Sequence, residues 1–493
     1  MSPPNLLVIL TDDQGCWALG AAGNPEIHTP YLDRLAATGL RAENFFCTSP
    51  VCSPARASLL TGAIPSRHGI HDWIRNGNIA ETESRAAGWG YDRPIDYLAG
   101  QRTYSEILAE NGYTCALSGK WHLGDSARPQ KGFSGWLTVP LGFSDYYHPW
   151  MIRDGRMAQE DGYVTDLITE GALAFLESQQ GLPTPFYLSV HYTAPHSPWE
   201  RAQHPPELRA LYRDCPFETC PEEPVHPWQV NSAPRGTGAR RLELLQGYYA
   251  AITALDRGVG QILARLEAMG VRENTLVFFT SDNGMNMGHH GIWGKGNGTF
   301  PQNMFDTSVK VPAIWSHPGV IPAGRLVGEL LSHYDVLPTL LDYLDLEGSA
   351  DERLPGHSFA PLLRGEPFRQ RENVVVFDEY GPVRMIRSQD WKYVHRYPYG
   401  PHELYDLVDD PGERRNIIDD PAHQGRVAEL KAQLDEWFVR YADPARDGVR
   451  EPVTGKGQVD LAGVAGQGRT AFAGDWFYID AEGQVRSRRG GAR

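Results

Sequence analysis

Several short apolar runs in this chain end in polar residues whose types could do chemistry. Leu6 to Leu10 leads into Asp12 and Asp13, Tyr113 to Leu117 into Gly119-Lys120-Trp121-His122, Phe186 to Val190 into His191 and His196, and Thr275 to Thr280 into Asp282-Asn283. Three carboxylates and an amide oxygen are hard donors, and an Asp pair behind a buried strand can converge on one divalent cation such as Ca²⁺ or Mg²⁺. Without a cation those acids would repel one another. Taken alone, Asp12-Asp13 also fits a strand-end turn that caps a helix, and Asp282-Asn283-Gly284 fits an ordinary turn. Lys120, His122 and Lys295 each fit a solvated loop unless the segments meet, in which case they answer the acids. His191 fits a strand-end histidine, and His289 and His290 fit packing positions. Gly294-Lys295-Gly296-Asn297-Gly298-Thr299 has the glycines of a phosphate loop but lacks Walker A spacing.

These residues need a scaffold that brings them to one place. An open parallel sheet binds ligands in the crevice beyond the carboxyl ends of its strands, where all four groups would fall. Asn5 to Leu10 is a continuous apolar run, as a strand covered on both faces requires. Thr29-Pro30 opens a helix closed by Gly39, and a strand follows at about Arg41 to Phe46. Ser53-Pro54 repeats this grammar, with Ser53 as cap and Gly62 as terminator, so Cys52 lies at a helix N-terminus. Thr103 and Glu106 match a capping box for a helix ending near Gly112. A long helix from about Arg241 to Met269 precedes the strand at Thr275. This alternation predicts an α/β fold with a large, mostly parallel central sheet flanked by helices.

From about Asn373 the spacing tightens to strands at Val374 to Phe377, Arg384 to Arg387, Trp391 to Arg396 and Leu404 to Leu407, with an amphipathic helix from about Arg426 to Tyr441. A catalytic domain over 1–372 and a small C-terminal α+β domain with an antiparallel sheet over 373–493 are therefore expected. The Gly-rich end fits two arrangements, folded back over the main domain or loose, and could supply a contact for a homo-oligomer.

A formal charge of −15 argues against nucleic acid or an anionic membrane as a partner, because both reward clustered Lys and Arg. No run approaches the ~18 apolar residues of a membrane span. Nothing ahead of Leu6 resembles a secretory signal, so a cytoplasmic protein is expected. Six cysteines are too sparse for a disulfide framework, and reduced thiols are expected.

The segment Cys52-Ser53-Pro54-Ala55-Arg56, continued by Ala57-Ser58-Leu59-Leu60-Thr61-Gly62, resembles the signature of the type I sulfatases of the alkaline phosphatase superfamily: Cys-x-Pro-x-Arg followed by a small-residue helix ending Thr-Gly. The early Asp-Asp, the Gly-Lys-Trp-His and the late Ser-Asp-Asn-Gly stand in the family's order, and the likeness spans residues 5 to about 320. Leu404-Tyr405-Asp406-Leu407 with Asp410-Pro411-Gly412-Glu413 is similar to the family's C-terminal domain.

The resemblance implies a sulfatase that hydrolyses a sulfate ester through formylglycine (3-oxoalanine), made from Cys52 by a separate maturation enzyme that reads Cys52, Pro54 and Arg56. It further implies one Ca²⁺ held by Asp12, Asp13, Asp282, Asn283 and the modified residue 52, with Arg56, Lys120, His122, His196 and Lys295 around the sulfate. His196 matches the family's His-x-Pro position better than His191, which stays in reserve. One divalent cation, three fixed cationic side chains and three carboxylates would give the pocket a charge of about +2, positive against the global field. Two rival readings stand: a phosphonate monoester or phosphodiester hydrolase of the same superfamily, and a non-catalytic metal-binding homologue. The substrate is expected to be a small sulfated carbohydrate or an aryl or alkyl sulfate, with the aromatic-rich stretches Trp73 to Tyr97, Thr138 to Met151 and Trp199 to Trp228 setting specificity.

Overall fold

The computed structural model describes residues 3–346, 351, 353–378, 383–474, 476–479 and 485–488. The first strand, Asn5–Thr11, lies in the middle of a 10-stranded sheet. Leu6, Val8 and Leu10 enter one core and Leu7 and Ile9 the other, and none of the five is exposed. That two-sided burial is why the run is continuously apolar.

From one edge to the other the sheet runs Arg325–Val327, Leu40–Ala42, Ala313–Ser316, Thr275–Ser281, Asn5–Thr11, Phe186–His191, Thr114–Lys120, Gly135–Val139, Trp150–Arg153 and Arg156–Gln159. The five strands from Thr275–Ser281 to Gly135–Val139 are mutually parallel, whereas Ala313–Ser316 and the Trp150–Arg153 and Arg156–Gln159 pair run antiparallel to their neighbours. Register sets Thr11 beside Ser281, Leu10 beside His191, and Gly119 beside His191, so the strands that carry the polar residues end at one sheet edge. Helices Pro30–Ala37, Val164–Gln179 and Gly238–Ala268 cover one face. Cys52–Thr61, Tyr104–Glu110 and Val336–Tyr343 cover the other, with the C-terminal sheet beyond them.

Several local expectations need correction. The strand expected at Arg41 to Phe46 is broken: Leu40–Ala42 stays in the main sheet, and Phe45–Phe46 leaves it to pair with Leu331–Ser332. Asn44 makes the break by donating to Gly328 O and accepting from Leu331 N. Ser53 is not a cap; the helix begins at Cys52 behind an extended Val51, and the Ser53 hydroxyl accepts from Ile74 N at 3.0 Å. Thr29 precedes its helix but caps it with no side-chain bond, because its hydroxyl takes Gly20 N and donates to Asp33. The Thr103 and Glu106 capping box is present in both directions.

The C-terminal strands Val374–Asp378, Val383–Arg387, Trp391–Arg396 and Glu403–Asp406 form an antiparallel sheet against the helix Gln424–Tyr441. A buried ion cluster ties it to the main sheet's loops. Lys392 Nζ donates to Asp306 Oδ1 at 2.6 Å and to Met304 O at 2.9 Å, pairs with Glu413, and is fully buried. Residues 443–474 fold back over the main domain, with Asp443 N on Ser66 O and Gln458 N on Trp73 O. Of the Gly-rich end, for which an oligomer contact is an expectation, residues 475, 480–484 and 489–493 lie outside the described residues. No disulfide joins the six cysteines, and no helix among the described residues is long and apolar enough to cross a membrane.

Candidate active site

Asp13 has a left-handed backbone, φ 65, a conformation few non-glycine residues adopt, which turns the chain sharply as it leaves the first strand. Its amide donates to Asp282 Oδ1 at 3.2 Å, and Asn283 Nδ2 donates to its Oδ1 at 2.8 Å. Oxygens of Asp12, Asp13 and Asp282 all lie within 4.8 Å of one another, with all three residues buried. Asn283 Oδ1 is buried beside them and has no hydrogen-bond partner. Three convergent carboxylates and an orphaned amide oxygen fit a hard divalent cation.

Cations from other segments meet these acids. Lys120 Nζ lies 2.5 Å from Asp12 Oδ2, Arg56 Nε 2.9 Å from Asp282 Oδ2, and Lys295 Nζ 2.5 Å from Asp13 Oδ1. Burial first, and Asp282 next, push the Asp12 carboxyl above its usual range. Burial also opposes ionisation of Asp13 and Asp282, yet Lys295 and then His196 hold the first below that range, and Arg56 foremost holds the second.

Cys52 begins a helix in which every residue is buried, a burial that its Ala and Ser side chains permit by their small size. Gly62, at φ 67, ends it by donating to Ser58 O. Cys52 Sγ lies 3.4 Å from Asp12 Oδ1 and 2.8 Å from Lys295 Nζ. Burial first, and Asp12 next, push this thiol up to about 12, so an unmodified Cys52 carries almost no thiolate at neutral pH.

Arg56 also donates from Nη1 to Lys120 O at 3.0 Å, while Nη2 is buried without a partner. Gly119 permits the approach of the Lys120 strand to its neighbour, because a Cβ there would stand 1.9 Å from His191 O. His122 Nε2 lies 2.9 Å from Ile74 O, and since a carbonyl only accepts, Nε2 carries the hydrogen. Nδ1 is then the basic nitrogen, buried and without a partner. Burial first, and Lys120 next, keep this imidazole neutral. His196 Nδ1 contacts Ser197 O at 2.8 Å, and Nε2 lies 3.8 Å from Asp13 Oδ2. His191, the reserve candidate, has both ring nitrogens engaged, by Ser189 Oγ at 2.8 Å and Lys120 O at 2.9 Å, and supports the strand end from behind.

A cavity of about 320 Å³ opens onto this cluster, a size within the usual range for small-ligand sites. Asp13, Cys52, His122, His196 and Lys295 line it. Asp12, Arg56, Lys120, Asp282 and Asn283 lie behind its wall and are buried. Two of the aromatic-rich loops reach the cavity, through Trp73 and Phe143, whereas of the third only Trp199 does. Arg75 and Gly142 in the wall fall inside two of those stretches without being singled out by the sequence, and Lys456 lies outside all three. Gly142 packs so closely on His122 that no side chain fits, and Lys456 arrives from the C-terminal segment; no local periodicity marks either.

The family model described as Sulfatase matches residues 4–346, and that of the N-sulphoglucosamine sulphohydrolase C-terminal region matches residues 288–440. The chain is 28% identical to an N-acetylglucosamine-6-O-sulfatase of Bacteroides thetaiotaomicron, over 92% of this chain and 89% of the relative. It is 31% identical to an ulvan-active sulfatase of Formosa agariphila, over 89% and 82% respectively. A solved structure, bound to its substrate D-glucosamine-2-N,6-O-disulfate, superposes with a TM-score of 0.75 at 25% identity, covering 90% of this chain and 99% of that one.

Proposed function

The chain belongs to the sulfatase family, the type I sulfatases of the alkaline phosphatase superfamily, and is a sulfuric ester hydrolase; on that premise we propose that it desulfates a carbohydrate through formylglycine at position 52 and one calcium ion. The observation that carries this reading is the setting of Cys52. It sits 3.4 Å from the acid cluster and 2.8 Å from Lys295, at the start of a buried helix, with a thiol too basic to act as it stands. A sulfated cysteine or serine would be as hard to hydrolyse as the substrate, whereas a hydrated aldehyde supplies one hydroxyl to attack sulfur and a second whose deprotonation releases sulfate by C–O cleavage. Asp12, Asp13, Asp282 and Asn283 would hold the ion together with residue 52. Bound calcium would supply positive charge that acidifies the attacking hydroxyl and screens it from an anionic ester.

The remaining roles follow from the side chains. Arg56 Nη2, buried and unpartnered, is a donor for the hydroxyls on residue 52. Lys295 and Lys120 neutralise charge growing on the sulfuryl and bridging oxygens, a stabilisation worth ~3 kcal/mol per donor in a dry site. His122 Nδ1 takes the proton that triggers collapse to the aldehyde, and His196 Nε2 gives one to the leaving alcohol. Trp73 and Phe143 offer apolar faces to a sugar ring. Sulfatase relatives that act on sulfated amino sugars and ulvan support a saccharide substrate.

The test is to co-express the chain with a formylglycine-generating enzyme, identify residue 52 by peptide mass spectrometry, and compare turnover of 4-nitrophenyl sulfate with that of a 4-nitrophenyl phosphonate. Aldehyde at position 52 and preference for the sulfate are expected. Unmodified cysteine in protein from the native host, or a clear preference for the phosphonate, would overturn the reading.

A further inference from the structure

The strand Phe186–His191 carries three polar residues in step, Tyr187, Ser189 and His191, which share one face because side chains alternate along a strand. Phe186, Leu188 and Val190 take the other face and enter the core beneath the helix Gly238–Ala268. All three polar residues are buried. A row of buried polar groups is costly unless each finds a partner, and these find one another. The line they form ends at a backbone carbonyl of the active site.

That line has a direction. Lys120 O only accepts, so the 2.9 Å contact puts the hydrogen of His191 on Nδ1. Nε2 is then an acceptor, and the Ser189 hydroxyl donates to it at 2.8 Å. Ser189 Oγ accepts from Tyr187 OH at 2.9 Å. Tyr187, having given its one hydrogen, accepts from Tyr104 OH at 3.0 Å, at the start of the helix Tyr104–Glu110. Each bond polarises the next toward Lys120 O. Burial first, and Arg56 next, hold the His191 imidazole down at about 3, so it is neutral at neutral pH and keeps this order. Lys120 O also accepts from Arg56 Nη1 at 3.0 Å. One carbonyl therefore joins His191 to two groups of the site. The first is the Lys120 side chain, 2.5 Å from Asp12 Oδ2. The second is the Arg56 guanidinium, whose Nε is held by Asp282 and whose Nη2 faces no partner.

We propose that His191 is a positioning residue of the reaction: by donating from Nδ1 to Lys120 O, in the orientation imposed by Ser189, Tyr187 and Tyr104, it fixes the peptide that aims Lys120 and Arg56. The inference rests on the sulfatase reading and adds a residue to it. His191 does not line the cavity, so its loss acts through Lys120 and Arg56. A displacement of about 1 Å at such groups costs about 100-fold in rate. The charge stabilisation assigned to Lys120 belongs to the transition state, so that loss falls on kcat rather than on KM.

The test sets two amides in place of the imidazole, in the full-length, formylglycine-containing enzyme. In His191→Asn the amide nitrogen hangs from the same carbon position as Nδ1 and can still donate to Lys120 O. In His191→Gln the amide lies one carbon further out, where Nε2 stood beside Ser189, and Lys120 O loses this donor. With 4-nitrophenyl sulfate, kcat should stay within about fivefold of the parent in His191→Asn and fall about 100-fold in His191→Gln, with KM within about threefold in both. Formylglycine content and melting temperature are measured for each. Leu188→Val, on the opposite face of the strand, supplies a variant with a lowered melting temperature and unaltered kcat. Equal kcat in the Asn and Gln variants, or a fall that tracks melting temperature across all three, would overturn the assignment. If His191→Gln yields no folded protein, Ser189→Ala takes its place: Nε2 loses its donor, kcat should fall about tenfold at constant KM, and an unaltered kcat would sink the idea. If the parent carries the aldehyde yet leaves the aryl sulfate intact, the sulfatase reading fails instead. Crystal structures of the parent and of the variant at position 191 or 189 then decide the positioning: the distance from Arg56 Nη1 to Lys120 O should open beyond about 3.5 Å, and an unmoved peptide would count decisively against it.

Discussion

Gly142→Ala is a one-carbon change that should stop the cycle at a defined point. The Gly142 backbone is in a region open to any residue, so alanine imposes no conformational strain, but its Cβ would stand 2.1 Å from Cε1, 2.2 Å from Nε2 and 2.6 Å from Nδ1 of His122. Ordinary contact begins at 3.4 Å, so the imidazole must retreat by at least about 1 Å. The 2.9 Å bond to Ile74 O resists that movement, and losing it costs about 1 kcal/mol. A displacement of this size at a catalytic group costs about 100-fold in kcat, or about 2.7 kcal/mol of barrier. If His122 acts only in release of sulfate, the first turnover stays fast. Stopped-flow mixing of the variant with 4-nitrophenyl sulfate should therefore give a burst of about one nitrophenolate per aldehyde and then a slow steady state. Formylglycine content by mass spectrometry and the melting temperature serve as controls. A steady-state rate within threefold of the parent would refute the placement of His122, and slow turnover without a burst would refute its assignment to the release step.

Further outcomes follow from other contacts. Lys392→Met leaves Asp306 and Glu413 buried without their shared cation and should cost about 3–5 kcal/mol in urea unfolding. Burial raises Glu413 above its unfolded value, so its contribution is present at low pH and lost as pH rises; the variant's deficit should grow between pH 5 and 8, and a flat deficit would count against the cluster. Chelation should abolish activity and lower the melting temperature by several degrees, with Ca²⁺ restoring both; ion at 100 times its Kd adds about 2.7 kcal/mol. Asn283→Ala should raise the Ca²⁺ needed for half-maximal thermal protection by about tenfold, and an unaltered requirement would remove Asn283 from the donor set. Gly119→Ala, which sets a Cβ 1.9 Å from His191 O at φ 117, should cost about 3 kcal/mol or prevent folding, as soluble yield and melting temperature would show.

The clustered acids with Asn283, the cysteine signature and the alternation of strands and helices could be read along the chain because each is local. Asp12-Asp13 and Asp282-Asn283 follow apolar runs whose two-sided burial leaves a plain compositional trace, and register then brings Thr11 beside Ser281. The short edge strands Trp150–Arg153 and Arg156–Gln159 were not legible, because a pair exposed on one side carries no continuous apolar run. Ser53 was misread as a cap because its type fits that role, whereas its hydroxyl is taken by Ile74 from a loop about 20 residues away.

By itself the sequence determined which residue types are available and which of them follow buried strands, since apolar periodicity and capping chemistry act over a few residues. Only the tertiary structure decided that Arg56 and Lys120 stand behind the cavity wall, that the basic nitrogen of His122 is Nδ1, and that Lys456 comes back from the C-terminal segment to meet Arg75. Those outcomes depend on contacts between segments up to 389 residues apart, such as Gln458 with Gly69, where solvent exclusion and glycine-sized gaps choose the partner and no local pattern records the choice.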